Sequence, residues 1–236
     1  MNWLEITSMV GCQNLCSYCP QSTFIKAYLG KQPLKMDLKT FNKILDNVNK
    51  EVTQIHFSGF SEIFLHPYGH EFIYLACARG FKTVLFTTLS GFDVKKAEFL
   101  NNPEIILDWV RLHRYDGKSY DALSFNTKRD LFTNNVRCNR FEDMGINLTS
   151  RAGNLWEVDK YLGAVDCQRI DCNVVLPDGT LVLCCSDWGM TQVLGNLINT
   201  HYDSDSLKIN REKVRAMGKD PNSDIICRKC EMAVKL

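Results

Sequence analysis

Three cysteines with three and then two residues between them, Cys12, Cys16 and Cys19, are the side chains of this sequence most suited to chemistry. They stand in the run Gly11-Cys12-Gln13-Asn14-Leu15-Cys16-Ser17-Tyr18-Cys19-Pro20, which follows a short strand-like stretch and reads as a loop. A structural zinc site wants four ligands, and an ordinary four-iron cluster also wants four. Three thiolates would leave one iron of such a cluster open to chelate another molecule. A zinc ion completed by a distant histidine is the rival reading of the same spacing. Six further cysteines, Cys167, Cys172, Cys184, Cys185, Cys227 and Cys230, fall in the last third of the chain, so the thiols are grouped at two places and two metal sites are expected. Cys77 and Cys138 stand apart and read as small buried hydrophobes.

Eleven cysteines in 236 residues mean either disulfides or thiolates on metal. The first residues lack a basic stretch followed by a long apolar one, which argues against export and for metal in a cytoplasmic protein. The net charge is +1, from 28 basic and 27 acidic residues, with no run of Lys or Arg able to track phosphates or an anionic surface. Neither nucleic acid nor a membrane is an expected partner. A hydrophobic share of 45% suits one sizeable core with, at most, a small appendage.

The elements that must position the cysteines alternate in type. Residues 3–7 read as a first strand, 54–58 as a second, 82–88 as a third and 105–113 as a fourth. A helix whose apolar face is Leu38, Phe41, Ile44, Leu45 and Val48 follows the N-cap candidate Asp37, and another over 68–79 closes on Gly80. A helix over 119–132 and a short strand over 146–149 continue the series. Strand and helix in alternation imply an α/β protein with a parallel sheet. Near residue 165 the character changes to a β-hairpin around Pro177-Asp178-Gly179, the start of a small C-terminal unit with too little chain for a large core, in which metal would supply the missing stability.

The C-x3-C-x2-C spacing, with the aromatic Tyr18 before its last cysteine, resembles the signature of the radical S-adenosylmethionine superfamily. Ser58-Gly59-Phe60-Ser61-Glu62, at the end of the second strand, resembles that superfamily's glycine-rich segment ending in glutamate, with Ser61 where many members have glycine. The resemblance implies a partial (β/α)6 TIM-type barrel over residues 1–160, an open iron that binds S-adenosylmethionine, and cofactor contacts from Tyr18, Gly59, Glu62, Thr88, His113 and Ser150. It points to Arg151 as a candidate catalytic residue.

Cys167, Gly179, Cys184 and the Cys227-x2-Cys230 pair resemble the twitch and SPASM extensions of one branch of the superfamily. The chain length after Cys230 suits a twitch unit, a β-hairpin plus helix over 161–236, carrying a second [4Fe-4S] cluster on Cys167, Cys184, Cys227 and Cys230. Cys172 and Cys185 stay open, although the four-residue interval after Gly179 favours Cys184 over Cys185.

The implied activity is reductive cleavage of S-adenosylmethionine to a 5′-deoxyadenosyl radical that abstracts a substrate hydrogen. The favoured outcome is two-electron oxidation of a small alcohol, sugar or aminocyclitol. Electrons would come from a one-electron donor such as flavodoxin or ferredoxin. A maturase of peptides or proteins is one alternative, disfavoured because the first strand begins within about three residues and leaves no room for a leader-binding domain. A zinc-stabilised module without catalysis is the other.

Overall fold

The computed structural model describes residues 2–48, 51–114, 124, 126–128, 139–143 and 149–236. Strands β1 (Trp3–Ile6), β2 (Gln54–Phe57), β3 (Lys82–Thr87), β4 (Leu107–Arg114) and β5 (Asn139–Asp143) alternate with helices α1 (Gln21–Tyr28), α2 (Leu38–Val48), α3 (Gly69–Ala78) and α4 (Val94–Leu100). After them come β6 (Val165–Asp166), β7 (Asn173–Val175), β8 (Thr180–Val182), β9 (Val193–Asn196), helix α5 (Asp205–Lys219) and β10 (Val234–Lys235).

Residues 124 and 126–128 are helical, within the helix expected over 119–132. The rest of that helix, Cys138, and residues 146–148 of the expected fifth strand lie outside the described residues. The strand beside β4 is β5, at 139–143.

One sheet carries eight strands in the order β5-β4-β3-β2-β1-β7-β8-β9. All pairings from β5 through β7 are parallel, and β8 and β9 are antiparallel additions. The order is linear, so the sheet is the open, partial barrel expected. The hairpin at 173–182 is part of this sheet, since β7 pairs with β1 through Leu4↔Asn173, Glu5↔Val174 and Ile6↔Val175. The main apolar core likewise joins Leu4, Ile6, Ile55, Phe57 and Leu85 to Leu181, Leu194, Leu207 and Val214. The C-terminal residues therefore share a sheet and a core with the first two thirds of the chain.

Local chemistry explains the helices. Asp37 caps α2 by accepting from the Thr40 N–H at 2.6 Å, and the helix buries Phe41, Ile44, Leu45 and Val48. Helix α3 stops at Gly80, which has φ 82°. Asp93 caps α4 at Lys96 N (2.9 Å), and Ser204 caps α5 at Leu207 N (3.5 Å). Helix α1 packs its Phe24 and Tyr28 into a second, aromatic cluster with Phe60, Trp188, Val174, Leu176 and Val182. Phe24 of α1 meets Phe60 at 4.9 Å and Trp188 at 6.4 Å between ring centroids, and Phe60 and Trp188 are 4.3 Å apart, which ties α1 to the turn after β2 and the loop after β8. Among the described residues no helix is long and apolar enough to cross a membrane.

Arg228, between Cys227 and Cys230, is 3% exposed and closes the C-terminal unit. Its guanidinium donates to the carbonyls of Tyr161 (3.0 Å) and Gly218 (3.3 Å), and also to those of Gly163 and Asp220. The acceptors lie at the end of α5 and in the strand-free segment before β6, so one buried cation holds two chain segments around the cysteine pair. Arg228→Met leaves those carbonyls without their donor, and we expect a loss on the order of 3 kcal/mol in chemical denaturation. A midpoint equal to that of the parent would show that water or backbone takes over the guanidinium's role.

Candidate functional site

The strands of the parallel sheet have two unlike faces. Leu4 and Ile6, Ile55 and Phe57, Leu85, and Val110 and Leu112 point into the apolar core. Their alternates line a cavity of about 780 Å³: Trp3 and Glu5 on β1, Gln54 and His56 on β2, Val84 and Phe86 on β3, Trp109, Arg111 and His113 on β4. The same cavity is lined by Cys12, Cys16, Tyr18 and Cys19, by Ser58 to Glu62, and by Thr87, Thr88, Arg151, Arg169, Cys185 and Trp188. The three N-terminal cysteines and six of the seven residues expected to contact cofactor or substrate thus meet in one place, at the C-terminal ends of parallel strands, where folds of this kind carry their sites.

Three side chains tie the cysteine loop to the sheet. Asn14 donates to Thr88 Oγ1 at 2.8 Å. Gln21 accepts from the Cys12 N–H at 3.4 Å and donates to the Phe60 carbonyl. Ser61 Oγ accepts from the Ser8 and Met9 N–H groups at 3.2 and 3.4 Å, across the ends of β1 and β2. Burial pushes the Cys19 thiol up to about 12, a hydrogen bond from Gln21 opposes that shift, and the neighbouring Cys16 and Cys12 add to it. Such thiols stay protonated until a cation arrives to bind their sulfurs, as a metal centre does.

Gly59 was expected to let backbone approach a ligand, and it does line the cavity, but its stricter constraint comes from β1. A Cβ at residue 59 would lie 2.5 Å from the Ile6 carbonyl oxygen and closer still to Thr7 Oγ1. The next residue fixes the same approach, since Phe60 N donates to Thr7 Oγ1 at 2.9 Å. Glycine is needed for one strand end to lie against the other.

Glu62 is 6% exposed, and burial raises its carboxyl above the usual range against the lowering effect of its hydrogen bonds. Oε1 accepts from Thr87 Oγ1 (2.7 Å) and Phe64 N (3.3 Å), and Oε2 accepts from Thr88 N and Thr88 Oγ1 (both 2.7 Å). All four acceptor positions of the carboxylate are engaged, two of them by hydroxyls that can rotate and accept instead.

The remaining expected residues divide. Tyr18 is 8% exposed and lines the cavity. His113 also lines it, and burial, with Arg111 and Arg151 nearby, lowers it to about 4, so the ring is neutral. Ser150 does not reach the cavity: it is wholly buried, its Oγ accepts from Gly153 N at 3.0 Å, and its own N–H donates to Glu231 at 2.5 Å. Arg151 faces the cavity from a turn in which Arg151, Ala152 and Gly153 all have positive φ, at 53°, 56° and 81°. Two non-glycine residues in that region cost of order 1 kcal/mol each, a strain that clusters at functional sites. A guanidinium has no basic nitrogen to offer, so Arg151 can serve as a charge but not as a base.

Glu5 was missed in the sequence. It is 7% exposed, accepts from Ser58 Oγ at 2.9 Å and Trp3 Nε1 at 3.3 Å, and meets the Cys185 thiol; burial raises its carboxyl despite these donors and the nearby Arg169. His56, stacked on Trp3 at 5.1 Å, was missed too, and burial and Arg111 lower it to about 4. Their signal was present: in strands whose alternate residues are aliphatic, Trp3-x-Glu5, Gln54-x-His56-x-Ser58 and Trp109-x-Arg111-x-His113 put polar and aromatic groups on one face.

The C-terminal thiols fall into two sets. Burial pushes Cys227 up to about 12, with Cys167 and Cys230 as the next causes, and Cys184 is raised by burial, then by its neighbour Cys185, with Cys227 also contributing. Cys167, Cys184, Cys227 and Cys230 thus share surroundings. Cys185 instead lines the cavity against Glu5, and Cys172 is 4% exposed, packed beneath β1. Cys77, expected to be buried, is half-buried against the main core.

Among the described residues no three His, Cys, Asp or Glu side chains converge as ligands of one ion would. A four-iron cluster asks for a different arrangement, one thiolate at each of several iron corners, and the donor sets fit it in kind: three thiols at one place and four at the other.

No family profile and no curated protein matches this sequence. Solved structures do. BtrN in complex with AdoMet and 2-DOIA superposes with a TM-score of 0.67 at 16% identity, over 98% of this chain and 96% of that one. Native anSMEcpe with bound AdoMet gives 0.55 at 14% identity, over 97% and 86%. Streptococcus suis SuiB bound to precursor peptide SuiA gives 0.62 at 13% identity, over 91% and 66%. These neighbours are radical S-adenosylmethionine enzymes with twitch- or SPASM-type features. At such identities the likeness is one of fold, and the mostly parallel α/β sheet of this chain is theirs.

Glu62→Gln turns one acceptor oxygen into a donor facing donors. We expect it to lower stability by about 2 kcal/mol in the absence of any ligand, read by denaturant melting. An unchanged midpoint would mean that the threonine hydroxyls rotate to absorb the change.

Proposed function

We propose that this chain is a radical S-adenosylmethionine enzyme, with Cys12, Cys16 and Cys19 holding a [4Fe-4S] cluster and Cys167, Cys184, Cys227 and Cys230 an auxiliary one. The observation that carries the reading is the meeting of three thiols, the Gly59–Glu62 segment and Thr87–Thr88 on the rim of one cavity at the ends of parallel strands. AdoMet complexes among proteins of the same fold support it. Bound there, a cluster with one open iron supplies the electron that cleaves S-adenosylmethionine to methionine and a 5′-deoxyadenosyl radical, which takes a hydrogen atom from substrate.

In this reading Glu62 receives the ammonium of the cofactor's methionine moiety as the Thr87 and Thr88 hydroxyls turn to accept. Tyr18 and Gly59 line the cofactor's place, and Thr88 and neutral His113 offer hydrogen bonds to it. The row Trp3, Glu5, His56, Phe86 and Arg111 is left for a small substrate of the alcohol, sugar or aminocyclitol class. Residues 1–160 act as the AdoMet-binding barrel and 161–236 as the twitch unit, in a cytoplasmic protein supplied by a flavodoxin or ferredoxin.

We favour two-electron oxidation. After loss of the substrate's hydrogen atom a proton and one electron remain to be lost, and a cluster held by Cys167, Cys184, Cys227 and Cys230 would supply the place for that electron. Glu5, a buried carboxylate at the cavity wall, is the group able to take the proton, with Arg151 as a charge that orients the substrate. Cys185 favours a second reading. Its thiol faces the same cavity and can return a hydrogen atom to the substrate radical, leaving a sulfur radical that one electron and one proton restore. That path gives an isomer.

Two measurements test these statements. Anaerobically reconstituted protein should hold about eight irons per chain. Replacing Cys12, Cys16 and Cys19 with Ala should remove half of them and all 5′-deoxyadenosine formation, and continued AdoMet cleavage by that variant would overturn the proposal. A colourless, zinc-containing sample would favour the non-catalytic module. Reaction type is read by product mass: a product two hydrogens lighter, with one 5′-deoxyadenosine for each, supports oxidation. Unchanged mass with deuterium gained from heavy water supports hydrogen return by Cys185.

A further inference from the structure

The cysteine loop has two sides. Cys12, Asn14, Cys16, Tyr18 and Cys19 line the cavity, while Gln13, Leu15 and Ser17 between them are exposed. Leu15 is 71% exposed, and its φ of 49° lies in the left-handed region, which costs a leucine on the order of 1 kcal/mol. The chain that follows folds back against this loop. Tyr28 Oη of α1 donates to the Pro33 carbonyl at 2.9 Å, Val10 N to the Leu34 carbonyl at 2.8 Å, and Met36 N to the Ser8 carbonyl at 2.9 Å. Met9 and Lys35 form an antiparallel bridge. Residues 8–36 thus close into one unit around the three cysteines, and its outer surface is apolar and basic. Ile25, Lys26 and Leu29 share one exposed side of α1, with Leu29 73% exposed, and Leu34 is exposed beside the loop. Between Glu5 and Asp37 the sequence holds Lys26, Lys31 and Lys35, all exposed, and no acidic residue. Among the described residues no carboxylate pairs with any of these lysines.

We propose that this surface, the exposed leucines of the cysteine loop and α1 with the three lysines around them, docks a small acidic one-electron carrier protein that reduces the N-terminal cluster. This rests on the reading of Cys12, Cys16 and Cys19 as a cluster site. Electron transfer weakens steeply with distance, so the carrier must approach the cysteines closely. The cavity side of the loop is taken by cofactor and substrate, and the exposed side is the other approach. One electron leaves the carrier and enters the cluster, and no atom or proton changes hands. Charge decides the partner's chemistry. Lysines without carboxylates call for a partner that presents carboxylates around an apolar contact, and such complementarity steers encounter. A second copy of this chain fits poorly, because a two-fold pairing of this face sets lysine against lysine. A small patch is sufficient, since electron-transfer encounters bury less surface than stable complexes do.

Two triple variants separate docking from a general effect of charge. Lys26→Glu with Lys31→Glu and Lys35→Glu reverses the proposed surface. Lys208→Glu with Lys213→Glu and Lys219→Glu makes the same change in net charge on α5. The two helices lie on opposite faces of the sheet, since α5 buries Leu207 and Val214 in the main core while α1 buries Phe24 and Tyr28 in the aromatic cluster. All six lysines are exposed, so neither variant disturbs a buried contact.

The experiment is calorimetric titration of reconstituted full-length protein with a flavodoxin and with a two-iron ferredoxin. We expect one of these carriers to bind, with a Kd that rises about tenfold in the α1-side variant and stays near the parent's in the α5 variant. Parent binding should also weaken as ionic strength goes from about 0.01 M to about 0.15 M, where the screening length falls from about 30 to about 8 Å. Formation of 5′-deoxyadenosine gives the second readout. The α1-side variant should be slowed when the carrier supplies electrons and unchanged when dithionite does. Equal Kd values in the two variants, or no binding of either carrier to the parent, would overturn the proposal. Phosphatidylglycerol vesicles that bind the parent where neither carrier does would assign the surface to a membrane, and a dimer lost only in the α1-side variant would assign it to a second copy; each overturns the proposal. Parent protein that takes up no iron would remove the cluster reading, and this proposal with it.

Discussion

The ends of β1 and β2 lie so close that residue 59 has no room for a Cβ against the Ile6 carbonyl. Much of the site depends on that approach. It brings Phe60 N onto Thr7 Oγ1, Ser61 onto the N–H groups of Ser8 and Met9, and the Phe60 carbonyl within reach of Gln21. The nine residues from Cys12 to Pro20, with their three half-buried cysteines, have little apolar surface with which to hold themselves. Their order comes from hydrogen bonds to a neighbouring turn that the sheet has already placed. Parallel strands make this possible, since they present their C-terminal ends at one edge and leave the long crossovers to the helices.

The same sheet is asked to do two unlike things. One face builds the apolar core with the helices, while the other presents Glu5, His56, Arg111 and His113 to a cavity. Ionisable groups on the buried side of a strand are costly unless they are partnered or neutral. His56 and His113 are held neutral, and Glu5 is held by Ser58 and Trp3. Cores without function do not carry such a row. Its presence is the physical reason for regarding this face as made to receive a polar molecule.

Much of this was legible in the sequence where a single period or spacing carried the information. The four leading strands and the helices over 38–48 and 69–78 followed from apolar periodicity and from the Asp37 and Gly80 signals. Helix α1 was not legible, because it is eight residues long, begins after a proline and buries only Gln21, Phe24 and Tyr28. Helix α4, seven residues long, was lost for the same reason. Cys12, Cys16, Cys19, Gly59 and Glu62, which the structure gathers around one cavity, could be singled out because their spacing is local. Glu5 and His56 were not, since their meaning arises from neighbours on other strands. Ser150 failed for a related reason: its place after an expected strand suggested a cavity position, but the left-handed turn at 151–153 turns it inward to Glu231 and Gly153.

The continuity of the sheet past residue 160 also bears on how the two thiol groups relate. Because β7 pairs with β1, the strand that carries Glu5 is flanked on one side by β2 and on the other by the hairpin that leads to Cys184 and Cys185. Strand β8 ends at Val182, and in the bend and turn that follow, Cys184 packs against the main core while Cys185 packs against the aromatic cluster. Cys184 therefore turns to the surroundings it shares with Cys227, while Cys185 turns to the cavity and Glu5. A single peptide unit separates a residue of the C-terminal thiol group from a thiol facing the cavity. A cavity with a thiol in its wall and the C-terminal thiol group directly behind that wall needs no moving domain to connect them. The connection is built into the pairing of β7 with β1 and of β8 with β7, which sets the turn that carries both cysteines beside the strand that carries Glu5.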